Sequence, residues 1–138
     1  MSRKWLPEIA EIIDRLSIVT LKSIKLEHKE EYEEEAEELM HDIDLLMKTK
    51  KVKDFGKLIR AIQIGMLANE LIWANETLAR QGGRKQDYLL PFTHSVNSIR
   101  MRAGNQIVNM LGGRKDLNLD RVVDDVCEER GYNFNGLF

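Results

Sequence analysis

Six residues spaced 4, 3, 4, 3 and 4 apart, Ile62, Met66, Asn69, Trp73, Glu76 and Arg80, share one face of a helix. Along that face an amide, an indole, a carboxylate and a guanidinium follow one another. An arginine can hold a carboxylate or phosphate through two parallel hydrogen bonds, and an asparagine can orient it. The indole adds a flat apolar wall suited to an aromatic or sugar-like group. The opposite edge, Ile64, Leu67, Leu71, Ala74 and Leu78, is apolar as well. A helix apolar on two sides is expected to be surrounded by protein, so the polar groups would be partly buried and need partners. Glu76 and Arg80, at i,i+4 in the favourable order, can supply one such pair. The same row could instead be a buried polar network that fixes helix register.

Two other segments offer groups to meet that row. In Glu11 to Lys22 the polar Asp14, Ser17 and Lys22 lie among large aliphatics, and Arg15 and Lys22 are seven apart on one face. Together these cations could hold an anion such as phosphate, or Arg15 could simply pair with Glu11 on a solvated flank. In His94 to Arg102, Asn97 and Arg100 are i,i+3 neighbours, and Gly104 permits close helix contact. A bundle could bring Asn97 and Arg100 against Glu76.

Further patterns are weaker. Gly-Gly-Arg-Lys occurs at Gly82 and again at Gly112. Phosphate-binding loops open a helix with a longer spacing, whereas both copies here close helices, where glycine caps and cations oppose the dipole. The acidic run Glu30 to Glu38, with His41, Asp42 and Asp44 after it, could bind magnesium. Helical nucleotide pyrophosphatases set a Glu-x-x-Glu helix against a Glu-x-x-Asp helix. Glu34 and Glu37 match the first half, but the second is missing downstream, so the run reads mainly as a solvated face, with Glu34, Glu37, Glu38 and Glu76 as the alternative carboxylate set. His28, His41 and His94 have no zinc spacing, and the single Cys127 excludes an intramolecular disulfide. No metal site is expected, and no motif names a cofactor.

The row Asn69, Trp73, Glu76 and Arg80, followed by Asn97 and Arg100, resembles a bacterial and phage family of uncharacterised helical proteins. In that family an Asn-x-x-x-Trp-x-x-Glu-Asp-x-x-x-Arg-like helix precedes an Asn-x-x-Arg-Asn-Asp-like helix, and members can accompany glycosyltransferase domains. Asp14-Arg15-Leu16-Ser17-Ile18, with Lys22, is similar to its leading helix. The match spans about half the chain and departs at Thr77, Met101 and Arg102, where the family carries acidic or amide residues. The resemblance implies a helical fold and adds weight to these residues without naming a reaction.

The elements that must position these groups are helices. Only Pro7 and Pro91 interrupt 138 residues, and apolar residues rarely alternate with polar ones. Pro7 suits a first helical turn. Ile9, Ile13 and Leu16 begin a stripe that resumes at Tyr32, Ala36, Leu39, Ile43 and Leu46. No glycine or proline intervenes, which favours one long first helix to Met47 over two helices meeting near His28. A second helix runs from about Lys57 to Gln81. A loop containing Pro91 leads to a third, near Thr93 to Leu111. Asn118 would cap a short last helix bearing Leu119, Val122, Val123 and Val126. The tail Tyr132 to Phe138 is too apolar to be left in water, so it should dock on its own bundle or another subunit.

A chain of this length fits one domain, residues 1–138, with a real core. Its longest apolar run falls far short of a membrane span, and Glu8, Glu11 and Asp14 interrupt any secretion signal. With one cysteine the default setting is cytoplasmic. A net charge of −2 gives no reason to expect nucleic acid. The expected fold is all-α: an antiparallel bundle of four or five helices with a long first helix, a short C-terminal helix and an apolar tail. The expected function is a binding or regulatory module, homo-oligomeric, holding a small anionic ligand such as a nucleotide or sugar phosphate. Its pocket would comprise Asn69, Trp73, Glu76, Arg80, Asn97 and Arg100, with Asp14, Arg15 and Lys22 nearby. The alternatives are a magnesium-dependent pyrophosphatase and a purely structural oligomerisation protein.

Overall fold

A computed structural model describes residues 8–80, 86–112 and 131–134, with the backbone alone at 79–80 and 86–90. It is all-helical, with four helices and no strand among the described residues: α1 (Ile9–Lys25), α2 (Lys29–Met47), α3 (Phe55–Arg80) and α4 (Gln86–Leu111). The α3–α4 hairpin is the largest contact. α1 lies across both of its members, and α2 packs mainly on α1, its last residues Leu46 and Met47 reaching the cluster that α1 shares with α3 and α4.

The expected long first helix is two helices. Leu26 is extended at φ −115° and ψ 165°, and its N–H donates to the Lys22 carbonyl at 2.9 Å. His28 follows in the left-handed region, at φ 64° and ψ 38°. The chain reverses here because folding back buries more than running on does. Ile12 and Val19 of α1 and Leu39 of α2 form a shared core, with Leu16, Tyr32, Ala36, Ile43 and Leu46 packed against it. A continuous helix would have left both stripes in water. Both apolar stripes face this shared core, and the turn between them contains no glycine or proline.

Asp54 begins α3: its carboxylate accepts from the Lys57 N–H at 3.0 Å, and its carbonyl accepts from the Leu58 N–H at 3.2 Å. α4 opens earlier than expected, at Gln86, and takes in Pro91. So near the start of a helix a proline forfeits about one intrahelical hydrogen bond, which packing can offset. Gly112 closes α4 at φ 86°, with its N–H donating to the Val108 carbonyl at 2.7 Å, as expected of a glycine cap. Gly82 and the helix expected from Asn118 lie outside the described residues.

Two clusters tie the hairpin together. Ile9 and Ala10 of α1 meet Leu58, Ala61, Ile107, Val108 and Leu111 at one end. Ile64, Ala68, Phe92, Val96, Ile99 and Ala103 fill the other, and Phe134 is buried among them. Tyr132 lies on Phe92, with ring centroids 5.9 Å apart. The described part of the apolar tail therefore docks on its own bundle. α3, however, is not sheltered all round: Leu67 is 44% exposed and Leu78 52%, so the expectation of protein on every side fails along that edge. No helix among the described residues is long and apolar enough to cross a membrane.

Candidate functional site

Where α1, α3 and α4 meet, a polar cluster replaces the apolar packing found at the bundle's ends. Asp14 is its centre. One of its oxygens accepts from Asn69 Nδ2 at 2.9 Å and from Arg100 Nε at 3.0 Å, while the other accepts from Arg100 Nη2. The Asn69 amide also donates to Ser17 Oγ at 3.2 Å. Arg100 reaches Asn97 Oδ1 at 3.4 Å, and Asn97 Nδ2 approaches Met101 Sδ at 3.6 Å. Four of the expected residues, from three separate stretches of sequence, are thus brought together.

Their helices explain the meeting. Asp14 and Ser17, three apart, share one face of α1. α3 and α4 run antiparallel, which sets Asn69 level with Asn97 and Arg100. Asn75, further along α3, is level with Thr93, to which it donates a hydrogen bond. Asn69 and Ser17 are buried, whereas the Arg100 and Asp14 side chains keep 32% and 31% of their surface. Hydrogen bonding to Asp14 raises the Arg100 pKa above its ordinary value. Burial opposes this and the Asp14 charge adds to it.

Beside the cluster lies a cleft of about 520 Å³, a volume typical of small-molecule sites. Its polar lining comprises Asp14, Ser17, Asn69, Asn97, Arg100 and Asn105, with the exposed Glu11 at its mouth. Apolar walls come from Ile13, Ile62, Met66, Met101 and Ile107. Two small residues shape it. A Cβ on Gly65 would sit 3.8 Å from Ala103 Cβ, an ordinary contact, whereas a Cβ on Gly104 would meet nothing within 4 Å. Gly104 therefore borders open space.

The other expected site residues lie elsewhere. Trp73 is half-buried and Glu76 exposed, and neither lines the cleft. Seven residues of helix, roughly 10 Å, separate Glu76 from the level of Asn69, so the anticipated Glu76–Arg100 contact does not form. Arg15 and Lys22 turn toward α2. Arg15 Nη2 lies 2.7 Å from Glu35 Oε1, and Lys22 Nζ is 5.9 Å from the centre of the Tyr32 ring. The expected Glu11–Arg15 pairing gives way to that bond with Glu35. The Arg80 side chain lies outside the described residues. The carboxylates of the pyrophosphatase alternative are divided: Glu34, Glu37 and Glu38 are exposed on α2, whose backbone does not approach α3 and its Glu76. No cluster of three or more histidine, cysteine or acidic residues suited to a metal occurs among the described residues.

Ser17 and Asn105 are additions to the site. Ser17 had its clue in the spacing from Asp14. Asn105 is eight residues beyond Asn97, so extending the Asn97 face by two turns would have found it. Comparison with known proteins yields no relative: no family model, no curated protein and no solved structure matches the chain.

Proposed function

We propose that this protein is a small-molecule-binding helical module whose ligand occupies the cleft between α1, α3 and α4. The supporting observation is the polar cluster on one side of a cleft of about 520 Å³ with apolar walls. Asn69 donates both amide hydrogens within the protein, leaving its Oδ1 as an acceptor, and Ser17 accepts from Asn69, leaving its hydroxyl hydrogen to donate. Arg100 has five N–H groups and uses three on Asp14 and Asn97. Donors and an acceptor side by side suit a hydroxyl- or amide-bearing ligand, a sugar or a nucleobase edge.

Charge bears on the ligand's class. Among the described residues lining the cleft Arg100 is the single cation, and it is already engaged by Asp14, with Glu11 a second carboxylate nearby. An anionic group would have to compete with Asp14 for Arg100. The ligand is therefore read as uncharged where it meets the cluster, and a phosphate, if present, would project outward.

A thermal-shift panel tests this. Free sugars and nucleosides at millimolar concentration should raise the melting temperature, nucleotides should do no better, and magnesium should make no difference. Gly104→Leu, which fills space beside the cleft, should remove the response without unfolding the helices. A response confined to nucleotides and weakened by salt would favour the anionic reading, and turnover with magnesium the hydrolase. No response to any probe would leave the cluster as a device for helix register.

A further inference from the structure

The outward side of α3 carries exposed apolar residues along its length, interrupted by the polar Gln63 and Thr77. Phe55, Ile59, Met66, Leu67, Ala74 and Leu78 are all exposed there, Phe55 at 62%. At 100° per residue these six fall within about 140° of the helix circumference, with the buried Ala61 and Ala68 on the far side and the buried Ile64 at its margin. From Phe55 to Leu78 the strip is about 35 Å long, larger than the scattered apolar residues of ordinary surfaces. Two charged side chains share it, Arg60 and Glu70, both exposed and without an ion pair among the described residues. They lie five residues either side of Gly65.

We propose that this face is a self-association surface on which α3 packs antiparallel against α3 of a second copy, about a two-fold axis near Gly65. The charge order selects that occupant and direction. In the antiparallel arrangement Arg60 meets Glu70 of the partner subunit, and the symmetry makes the contact twice. A parallel pair would set Arg60 on its own copy and Glu70 on its own copy. The two-fold arrangement also closes on itself, giving a dimer and not a filament. At its middle Met66 and Leu67 face their counterparts, and toward each end Phe55 approaches Leu78 of the partner subunit. The pairing face adjoins the cleft through Met66, which borders both, while Arg60, Leu67, Glu70, Ala74 and Leu78 lie outside the cleft lining.

Sedimentation velocity of the full chain between about 1 and 100 µM tests the proposal. The native chain should be dimeric. Arg60→Glu should weaken the dimer on the order of ten- to a hundredfold, because two attractive contacts become repulsive. Arg60→Glu with Glu70→Arg should restore it. Leu67→Glu should give a monomer with an unchanged helical circular-dichroism signal, and Gly104→Leu should leave the dimer intact even where it abolishes ligand response. A native chain monomeric at 100 µM, or a dimer indifferent to Arg60→Glu, overturns the proposal. So does a charge swap that fails to rescue while the variant stays folded.

Discussion

Asp14 joins three helices, and its removal should show how much the polar cluster holds. In Asp14→Ala the Arg100 guanidinium loses its ionic partner and the Asn69 amide loses an acceptor. Breaking a fully buried pair costs about 3–5 kcal/mol, and an exposed pair contributes about 0.2–1 kcal/mol. The two side chains are about one-third exposed, which places this loss near 2 kcal/mol. The Asn69 bond adds about 1 kcal/mol. A total near 3 kcal/mol should lower the melting temperature by roughly 10 °C in a domain of this size. Arg15→Ala is the internal comparison: its bond to Glu35 is 49% exposed at the arginine, so its loss should cost no more than about 0.5 kcal/mol. Denaturant titration of Asp14→Ala, Arg100→Met and the double variant should give a coupling energy of about 1–2 kcal/mol. The pH dependence follows from the raised Arg100 pKa. A raised folded-state pKa gives stability that is complete below the unfolded value and is lost as pH rises through the folded one. For arginine that window lies beyond ordinary alkaline buffers, so the Arg100→Met penalty should be the same at neutral pH and at about pH 10. Asp14→Ala no more harmful than Arg15→Ala, or strictly additive single variants, would refute this account of the cluster.

Two further substitutions address the fold. His28→Gly should stabilise the protein by about 0.5–1 kcal/mol, read as a higher urea midpoint, because glycine relieves the left-handed strain at φ 64°. Were α1 and α2 continuous, the same change would cost about 1 kcal/mol, so its sign decides between the arrangements. Phe134→Ala should cost about 3 kcal/mol, since its ring is buried against the Phe92 and Val96 end of the hairpin; a neutral result by urea titration would show that the tail is not part of the core.

The helices were legible from apolar spacing, and so was the contribution of Asp14, Asn69, Asn97 and Arg100 to one region. Which groups meet was not. Spacing within a helix fixes a side chain's face but says nothing of its level along a neighbouring helix. The antiparallel offset of α3 and α4 pairs Asn75 with Thr93 and sets Asn69 beside Arg100, leaving Glu76 out of reach. Asp14 and Arg15 illustrate a second limit. Adjacent residues point about 100° apart on a helix, so α1 serves two interfaces, Asp14 toward α3 and α4 and Arg15 toward α2. The turn at Leu26 to His28 eluded the sequence because its cause is burial between Val19 and Leu39, a long-range gain, and not a local breaker.

The choice between a binding cleft and a device for register turns on space. A polar cluster that only fixed register would be served best by close packing, since an unfilled volume forfeits dispersion contacts. Gly65 fits that purpose, standing close to Ala103. Gly104, one residue further along α4, does the opposite and borders the opening. Alanine there would improve helix propensity by about 1 kcal/mol with nothing in its way, yet glycine stands in its place. Asn69, Ser17 and Arg100, each with hydrogen-bonding capacity left over, line that opening. Unspent hydrogen-bonding capacity beside unfilled volume is costly in a scaffold and useful in a receptor, which is why the cleft is read as a ligand site.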